Sequence, residues 1–501
     1  EIGLGATRDP ELVRQIGEAT AEEMLATGIP WNFAPVVAVP QDIRWGRTHE
    51  SYAEDTALVG ELAGAYIRGL QSLPDGSKPA AGQSVRVLAT PKHFLGDGGT
   101  LFGTSTQNIY KPFLLDQGDM RLDEAAVRDL FLPPYRQAIQ SGALSVMVSF
   151  SSWNGTKMHA QTHWITDVLK GELGFDGFVL SDWGGMDQIS SDYYTAIVTG
   201  INAGIDMNMV PYDYVSYIDT MQEAVRKGDI SQERIDDAVL RILRVKFALG
   251  LFDHPHPDAS LRDTVGSQAH RDLARQAVHE SVVLLRNENS VLPLSKDSPL
   301  IYVAGHGADD IGMQCGSWTI EWQGKSGDIQ PGTTVLEAVR AAVSAGTRVE
   351  FNMQGHFDGM ADIGIAVVGE DPYAEGVGDA ADLSLSAADM QAIDALRLHS
   401  RKLVVVIISG RPLVITPQFR TADAWVAAWL PGTEASGIAD VLFGDHPFTG
   451  RLPYTWPRSN EQLPINKNNS AGKAGCAAPL FPFGYGLGEG GSQPIEWMNC
   501  P

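Results

Sequence analysis

Between residues 10 and 250, short apolar runs alternate with stretches of helical period, and this alternation restricts the fold more than any other feature. Buried strands separated by helices imply parallel neighbours joined by crossover helices. Asp9 can cap the first helix and Pro10 suits its first position. Leu12, Ile16 and Ala19 share one face, and Gly28 can end it. Apolar runs follow at 31–39, 85–90, 144–150 and 178–180, with helical patterns near 52–72, 124–140, 163–172 and 214–227. Ile235, Ala238, Ile242, Val245 and Leu249 keep a helical period up to Gly250. Arg47, Lys92, His93 and Asp182 come just after strands, where a β/α barrel places its active site. Too few strands precede Trp31 to close an eight-fold barrel, so the first units are expected upstream of Glu1.

A second strand–helix series runs over 300–487. Its buried strands are expected at 301–304, 363–368, 403–408 and 425–428, with helices near 335–343 and 386–400. A doubly wound or sandwich-like α/β domain is the expected form. The expected organisation is a partial (β/α) barrel over 1–255, then a linker and connecting helix over 256–299. The α/β domain over 300–487 and an irregular tail over 488–501 complete it. The helix in the connecting region is expected near 268–286.

A chain of 501 residues that is 44 % hydrophobic can bury large cores, so bulk disorder is excluded. No apolar run is long enough for a membrane span. The net charge of −24, from 61 acidic and 37 basic residues, disfavours nucleic acid and anionic lipid as partners. Cys315, Cys476 and Cys500 allow at most one disulfide, and none stands in a CxxC pair, which argues against a zinc site.

Five segments could carry chemistry. GFVLSDWGG (177–185) delivers Asp182 at a strand end, as a nucleophile, a hydrogen-bond anchor, a metal ligand or simply a helix cap. PKHFLGDGGT (91–100) sets Lys92 and His93 side by side before Asp97 in a glycine-rich loop. Long donors there suit hydroxyl recognition, and a turn with a satisfied histidine is the plainer alternative. DIRWGRTHESY (42–52) offers Arg44, Trp45 and Arg47; taken alone it reads as a surface turn with an ion pair to Glu50. VVGEDPYAEGVGD (367–379) crowds Glu370, Asp371 and Glu375, and such crowding raises a carboxyl pKa as a general acid requires. A solvated acidic loop is the alternative. SWTIEWQG (317–324) carries Trp318 and Trp322 in a loop bracketed by glycines, where indole faces can stack on sugar rings or pack in a core. Two carboxylates from separate domains, tryptophans and Lys/His/Arg donors, without a metal cluster or nucleotide loop, suit glycoside hydrolysis.

At these segments the sequence resembles glycoside hydrolase family 3, in its two-domain β-glucosidases and exo-β-glucanases. The resemblance runs through GATRDP, RWGRTHESY, KHFLGDGGT, SSWNG, GFVLSDW, RIDDAV, GSWTIEWQG, GEDPYAE, SGRPLV, AAWLPGTE, FTGRLPYTWP and FGYGL, over roughly residues 3–487. It implies a (β/α)8-type barrel followed by a six-stranded α/β sandwich, with the active site between them.

By position, the resemblance makes Asp182 the nucleophile and Glu375, rather than Glu370, the general acid/base. It places Arg47, Lys92 and His93 on the hydroxyls of the first sugar, with Asp97 in support beside them. Trp183 and Trp322 correspond to a pair of indoles that sandwich the next glucose, and Met147 to a residue lining the pocket. The sugar-binding Asp of the family precedes GATRDP, so it is expected upstream of Glu1. Phe150, Thr106 and Gln188 stand where plant members carry Tyr, Glu and Arg, which bears on linkage preference. KHFLGDGG departs from the KHFPGHG-like segment of the N-acetylglucosaminidase branch.

The implied reaction is exo-hydrolysis of terminal β-glucosyl residues with retention, through a glucosyl–Asp182 ester. Retention calls for carboxyls about 5–5.5 Å apart. The implied partners are β-linked glucosides and oligosaccharides, with no cofactor and no metal, and a homo-oligomer is possible. A β-xylosidase, an N-acetylhexosaminidase or a non-catalytic sugar-binding protein are the alternatives. The family habit of export implies a periplasmic or secreted protein.

Overall fold

The computed structural model describes residues 1–72, 86–495 and 500. The chain forms two compact units. One comprises Glu1–Arg8, Pro40–Asp55 and Arg271–Pro501, the other Asp9–Val39 and Thr56–His270.

In the unit made of Asp9–Val39 and Thr56–His270, the first helix is Pro10–Thr27. Asp9 Oδ1 accepts hydrogen bonds from the amides of Glu11 and Leu12, and Gly28 closes the helix in the left-handed conformation, as the sequence predicts. The short strands Trp31–Asn32 and Leu88–Ala89 pair in parallel, and so do Ser145–Met147 and Phe178–Leu180. Parallel bridges Val36–Lys92, Phe94–Val148 and Leu180–Met207 extend this succession from each segment to the next. The crossover helices include Thr56–Gln71, Leu132–Gln140 and Tyr193–Ala203. Val85, expected to begin a strand over 85–90, lies outside the described residues; the regular pairing there is confined to Leu88–Ala89. The helix expected over 124–140 is two, Glu124–Leu130 and Leu132–Gln140, because Phe131 closes the first and Pro133 and Pro134 open the second. His163–Glu172 is helical over the expected range, with π-helical hydrogen bonding.

A buried carboxylate anchors the strand that carries Asp182. Asp206 Oδ2 accepts the amide of Val179 at 2.8 Å, while Oδ1 accepts from Lys170 Nζ at 2.7 Å and from Arg234. The apolar counterpart is a small cluster of Leu88, Met147, Phe178, Leu180 and Val245.

The other unit is organised on a six-stranded mixed sheet. Its order is Val283–Asn287, Ala424–Trp429, Ser400–Ile408, Ala361–Gly369, Leu300–Ala304, Arg348–Phe351. All neighbours run parallel except Val283–Asn287, which is antiparallel to Ala424–Trp429. The central strands carry buried apolar stretches at 363–368, 403–408 and 424–429, as expected of parallel strands covered on both faces, while Asp362, Arg401 and Lys402 near the start of two of them are partly or fully exposed. Helix Ala387–Leu398 packs on Leu300–Ala304, Ala361–Gly369 and Ser400–Ile408, and Val335–Ala342 is opened by a capping box of Thr334 and Glu337.

Two expectations are corrected here. The helix expected near 268–286 ends at Ser281, and Val283–Asn287 is the edge strand of the sheet. Arg348–Phe351 is a further edge strand that the apolar pattern did not mark, since its residues are only partly buried. Cys476 and Cys500 form a disulfide. Among the described residues, no helix is long and apolar enough to cross a membrane.

Candidate active site

Asp182 follows the buried strand Phe178–Leu180, so its backbone is fixed by the strand and its side chain emerges where the chain turns. The Trp183 amide donates to Asp182 Oδ1 at 2.7 Å. The Asp182 amide donates to His159 Nε2 at 3.1 Å. Burial pushes His159 down to about 3, so the imidazole is neutral at ordinary pH and its Nε2 is free to accept. Ser181 Oγ donates towards the Asp182 carbonyl and Asn208 Oδ1, each at 2.9 Å, and accepts the Met209 amide at 2.7 Å. The turn is thereby tied to the following segment of the parallel succession.

His93 stands beside this carboxylate, with Nε2 3.6 Å from Asp182 Oδ2. Its Nδ1 meets Asp97 Oδ2 at 2.9 Å, and Asp97 Oδ1 takes the Gly98 amide at 3.0 Å. Asp97 thus orients the imidazole towards Asp182. All three side chains are largely buried. Lys92 lies on the same strand end, half-buried, joined to His93 by a cis peptide bond. Trp183 is 57 % exposed and meets Tyr212 edge to face, with ring centroids 6.1 Å apart. A large indole left this open in a folded unit is available to a ligand. Met147 is buried in the apolar cluster beneath these strand ends. Gln188 hydrogen-bonds Gln117 at 2.9 Å and Gln107 at 3.4 Å. Phe150 packs near His159, with ring centroids 6.0 Å apart.

The remaining candidates belong to the sheet-centred unit. Arg47 Nη2 donates to Glu50 Oε2 at 2.8 Å, and Nη1 lies 3.4 Å from Glu375 Oε1. The 42–52 segment is therefore no surface turn. The ion pair with Glu50 exists, but Arg47, Glu50 and Glu375 are all buried. Glu50 Oε1 also accepts the Trp318 indole N–H at 3.2 Å. Trp318 and Trp322 lie in a loop, as their bracketing glycines suggest. The Trp318 amide donates to the Trp322 carbonyl at 3.1 Å, and the indoles are tilted with centroids 6.4 Å apart.

Glu370 and Glu375 differ in their surroundings. Glu370 Oε1 takes two donors of Arg411, at 2.9 and 2.8 Å, and its Oε2 takes the Tyr373 hydroxyl at 3.0 Å. Both oxygens are committed, Oε1 to an ion pair with Arg411 and Oε2 to the Tyr373 phenol. Glu375 adopts a left-handed backbone, φ 53°, and faces Arg47. His49, in the same segment as Arg47, shares a small pocket with Ser317, Glu370, Tyr373 and Leu430. Its Nε2 meets Ser317 Oγ at 2.8 Å, and burial pushes it down to about 4.

Thus Asp182, Trp183, Lys92, His93, Asp97 and Met147 fall in one unit, and Arg47, Glu375 and Trp322 in the other. Sequence reasoning did not single out His159, Arg411 or Asp379, whose Oδ1 takes the Gly46 amide. Their partners lie 23, 41 and 333 residues away along the chain, so no local pattern marks them.

The residues just described occur within two matching family models. The model of the glycosyl hydrolase family 3 N terminal domain matches residues 1–245, and that of the family 3 C-terminal domain matches residues 282–489. The chain belongs to glycosyl hydrolase family 3. It is 31 % identical to a lysosomal beta glucosidase of Dictyostelium discoideum, over 97 % of this chain and 61 % of that protein. It is 30 % identical to a periplasmic beta-glucosidase of Salmonella typhimurium, over 97 % of this chain and 68 % of that one. Among solved structures, an exo-1,3/1,4-beta-glucanase from a Pseudoalteromonas species superposes with a TM-score of 0.90 at 38 % identity, covering 100 % of this chain and 63 % of that one. A beta-glucosidase from Listeria innocua in complex with glucose gives 0.85 at 27 % identity, covering 97 % and 69 %. The chain therefore spans about three fifths of the length of the Dictyostelium relative.

Proposed function

We propose that this protein is a retaining, exo-acting β-glucosidase that releases terminal glucose from β-glucans and from cello- or laminari-oligosaccharides. The observation that carries the reading is the buried Asp97–His93–Asp182 array at the strand ends. A carboxylate held open at a turn beside an imidazole that a second carboxylate orients is suited to nucleophilic attack on an anomeric carbon. The names of the relatives support the substrate class.

In this reading Asp182 attacks the anomeric carbon while Glu375 gives its proton to the departing oxygen. The anomeric C–O bond breaks and a glucosyl–Asp182 ester forms. Glu375 then takes a proton from water, whose oxygen displaces Asp182, so glucose leaves with its β configuration kept. Arg47, Lys92 and His93 bind hydroxyls of the first sugar, with Asp97 supporting His93 and Met147 lining the floor. Trp183 and Trp322 take the second sugar. The commitment of both Glu370 oxygens to Arg411 and Tyr373 favours Glu375 over Glu370 as the proton carrier. The parallel succession within residues 1–255 is then part of a (β/α)8-type barrel, with residues 300–487 as the sandwich domain. The disulfide Cys476–Cys500 supports a periplasmic or secreted location.

Relatives named as beta-xylosidases, one from Formosa agariphila at 29 % identity, make xylosides the second substrate to try. Aryl β-glucoside, β-xyloside and β-N-acetylglucosaminide are compared, and proton NMR identifies the first-formed anomer. The glucoside turning over fastest, with β-glucose appearing first, is the expected result. Preference for another sugar, or α-glucose first, would refute the proposal.

A further inference from the structure

The strands Ala361–Gly369 and Ser400–Ile408 lie side by side in parallel, with Gly369 paired to Ile408. The chain leaves both strands at the same end of the sheet. The carboxylate of Glu370 is thereby set beside the guanidinium of Arg411, which is 2 % exposed. Glu370 Oε1 takes Nε and Nη2 of Arg411, and the guanidinium lies 4.8 Å from the centroid of the Tyr373 ring. Burial holds the Tyr373 phenol well above its usual range, so it remains a donor to Glu370.

The other edge of Arg411 is directed at two main-chain carbonyls. Nη1 donates to Arg44 at 3.0 Å, and Nη2 to Gly378 at 2.8 Å. One of these carbonyls precedes Arg47, the other follows Glu375. The two segments also touch directly. The Gly46 amide donates to Asp379 Oδ1 at 2.8 Å, and the Ala380 amide to the Arg44 carbonyl at 3.1 Å. A side chain on Gly46 would begin 1.9 Å from the Glu375 carbonyl oxygen, so only glycine permits this approach. Glu375 sits between these ties with φ 53°, a conformation that a residue with a Cβ keeps only when its surroundings impose it.

We propose that Arg411 is a positioning residue for Glu375: locked by Glu370 and Tyr373, it staples the turn at 375–378 to the 44–47 segment and so fixes the Glu375 carboxyl against Arg47. The inference rests on the reading of Glu375 as acid/base. Arginine is required because a planar fork can hold a carboxylate on one edge and two carbonyls on the other; a lysine is a single point charge.

Azide provides the test, because it needs no general base. It attacks the anomeric carbon of the glucosyl–Asp182 ester, the bond to Asp182 breaks, and β-glucosyl azide leaves with no proton transferred. Glu375→Ala, Arg411→Lys and Glu370→Gln are assayed on cellobiose and on 2,4-dinitrophenyl β-glucoside, with and without azide, alongside thermal melts. Glu375→Ala is expected to form glucosyl azide. Arg411→Lys is expected to lose about 10²-fold in kcat on cellobiose and less on the aryl glucoside, and to form glucosyl azide as well. Glu370→Gln should do the same more weakly, and it decides the matter if Arg411→Lys does not fold. If the Arg411 and Glu370 variants lose activity equally on both substrates, or lose none, and form no azide product while Glu375→Ala does, Arg411 is scaffold only and the inference is overturned. If Glu375→Ala itself forms none, the acid/base reading fails, and Arg411 has no such group to position.

Discussion

Asp182 and Glu375, the two carboxylates of the proposal, are held by opposite means. Asp182 follows the regular strand Phe178–Leu180 and takes the amide of the very next residue, while its own amide rests on His159. The strand before it fixes its backbone and the residue after it holds its carboxylate, with His159 supporting its amide from 23 residues away. Glu375 stands on an irregular turn in a left-handed conformation, and what surrounds it comes from Arg44–Arg47, Arg411 and Asp379. A side chain placed by a strand tolerates change in its surroundings. One placed by distant staples depends on each of them.

The sharpest break in this comparison is Asp182→Asn. It should lower kcat on the order of 10⁴-fold, with the melting temperature nearly unchanged, because the amide keeps the shape but cannot form the ester. Steady-state kinetics with a thermal melt measures both. Next is Glu375→Gln, which should cost about 10³-fold on cellobiose and far less on activated aryl glucosides. Equal losses on both substrates would contradict the acid role.

A third prediction concerns stability in the sheet-centred unit. Glu54 is 1 % exposed, and burial pushes its carboxyl up to about 7; Thr455 Oγ1 at 2.6 Å and the Lys467 amide at 2.9 Å donate to it. An acid whose folded pKa lies above its unfolded value of about 4.5 binds more protons when folded. Stability therefore falls as pH rises from about 4.5 to about 7 and levels off above, by about 3 kcal/mol in all. Glu54→Gln should remove that slope in denaturant titrations run across this range. An unchanged slope would mean that Glu54 is charged in the folded protein. The smallest effect is expected of Trp183→Ala. Loss of stacking worth about 1 kcal/mol should raise KM for cellobiose about fivefold and leave kcat on aryl glucosides nearly unaltered.

The same contrast explains what could be read from the chain alone. The strands expected at 301–304, 363–368, 403–408 and 425–428 announce themselves as unbroken apolar runs because both faces are covered. Val283–Asn287 was absorbed into the preceding helix because Val278, Val282 and Leu285 continue its spacing, and only pairing with Ala424–Trp429 separates it. Asp182, Lys92 and His93 could be picked out because they directly follow strands. Arg47 was legible as a donor, but its burial was not, since Glu375 lies 328 residues away. Arg411 passed as one residue of SGRPLV because its role consists entirely of long-range contacts.

The most direct test of the account is covalent trapping. A 2-deoxy-2-fluoro-β-glucoside with an activated leaving group slows release of the ester more than its formation, so the intermediate accumulates. Intact-mass analysis and peptide mapping should find one fluoroglucosyl group per chain, attached to Asp182. A label on any other residue, or steady turnover of the reagent with no labelled protein at any time, would contradict the assignment of Asp182 as the attacking group.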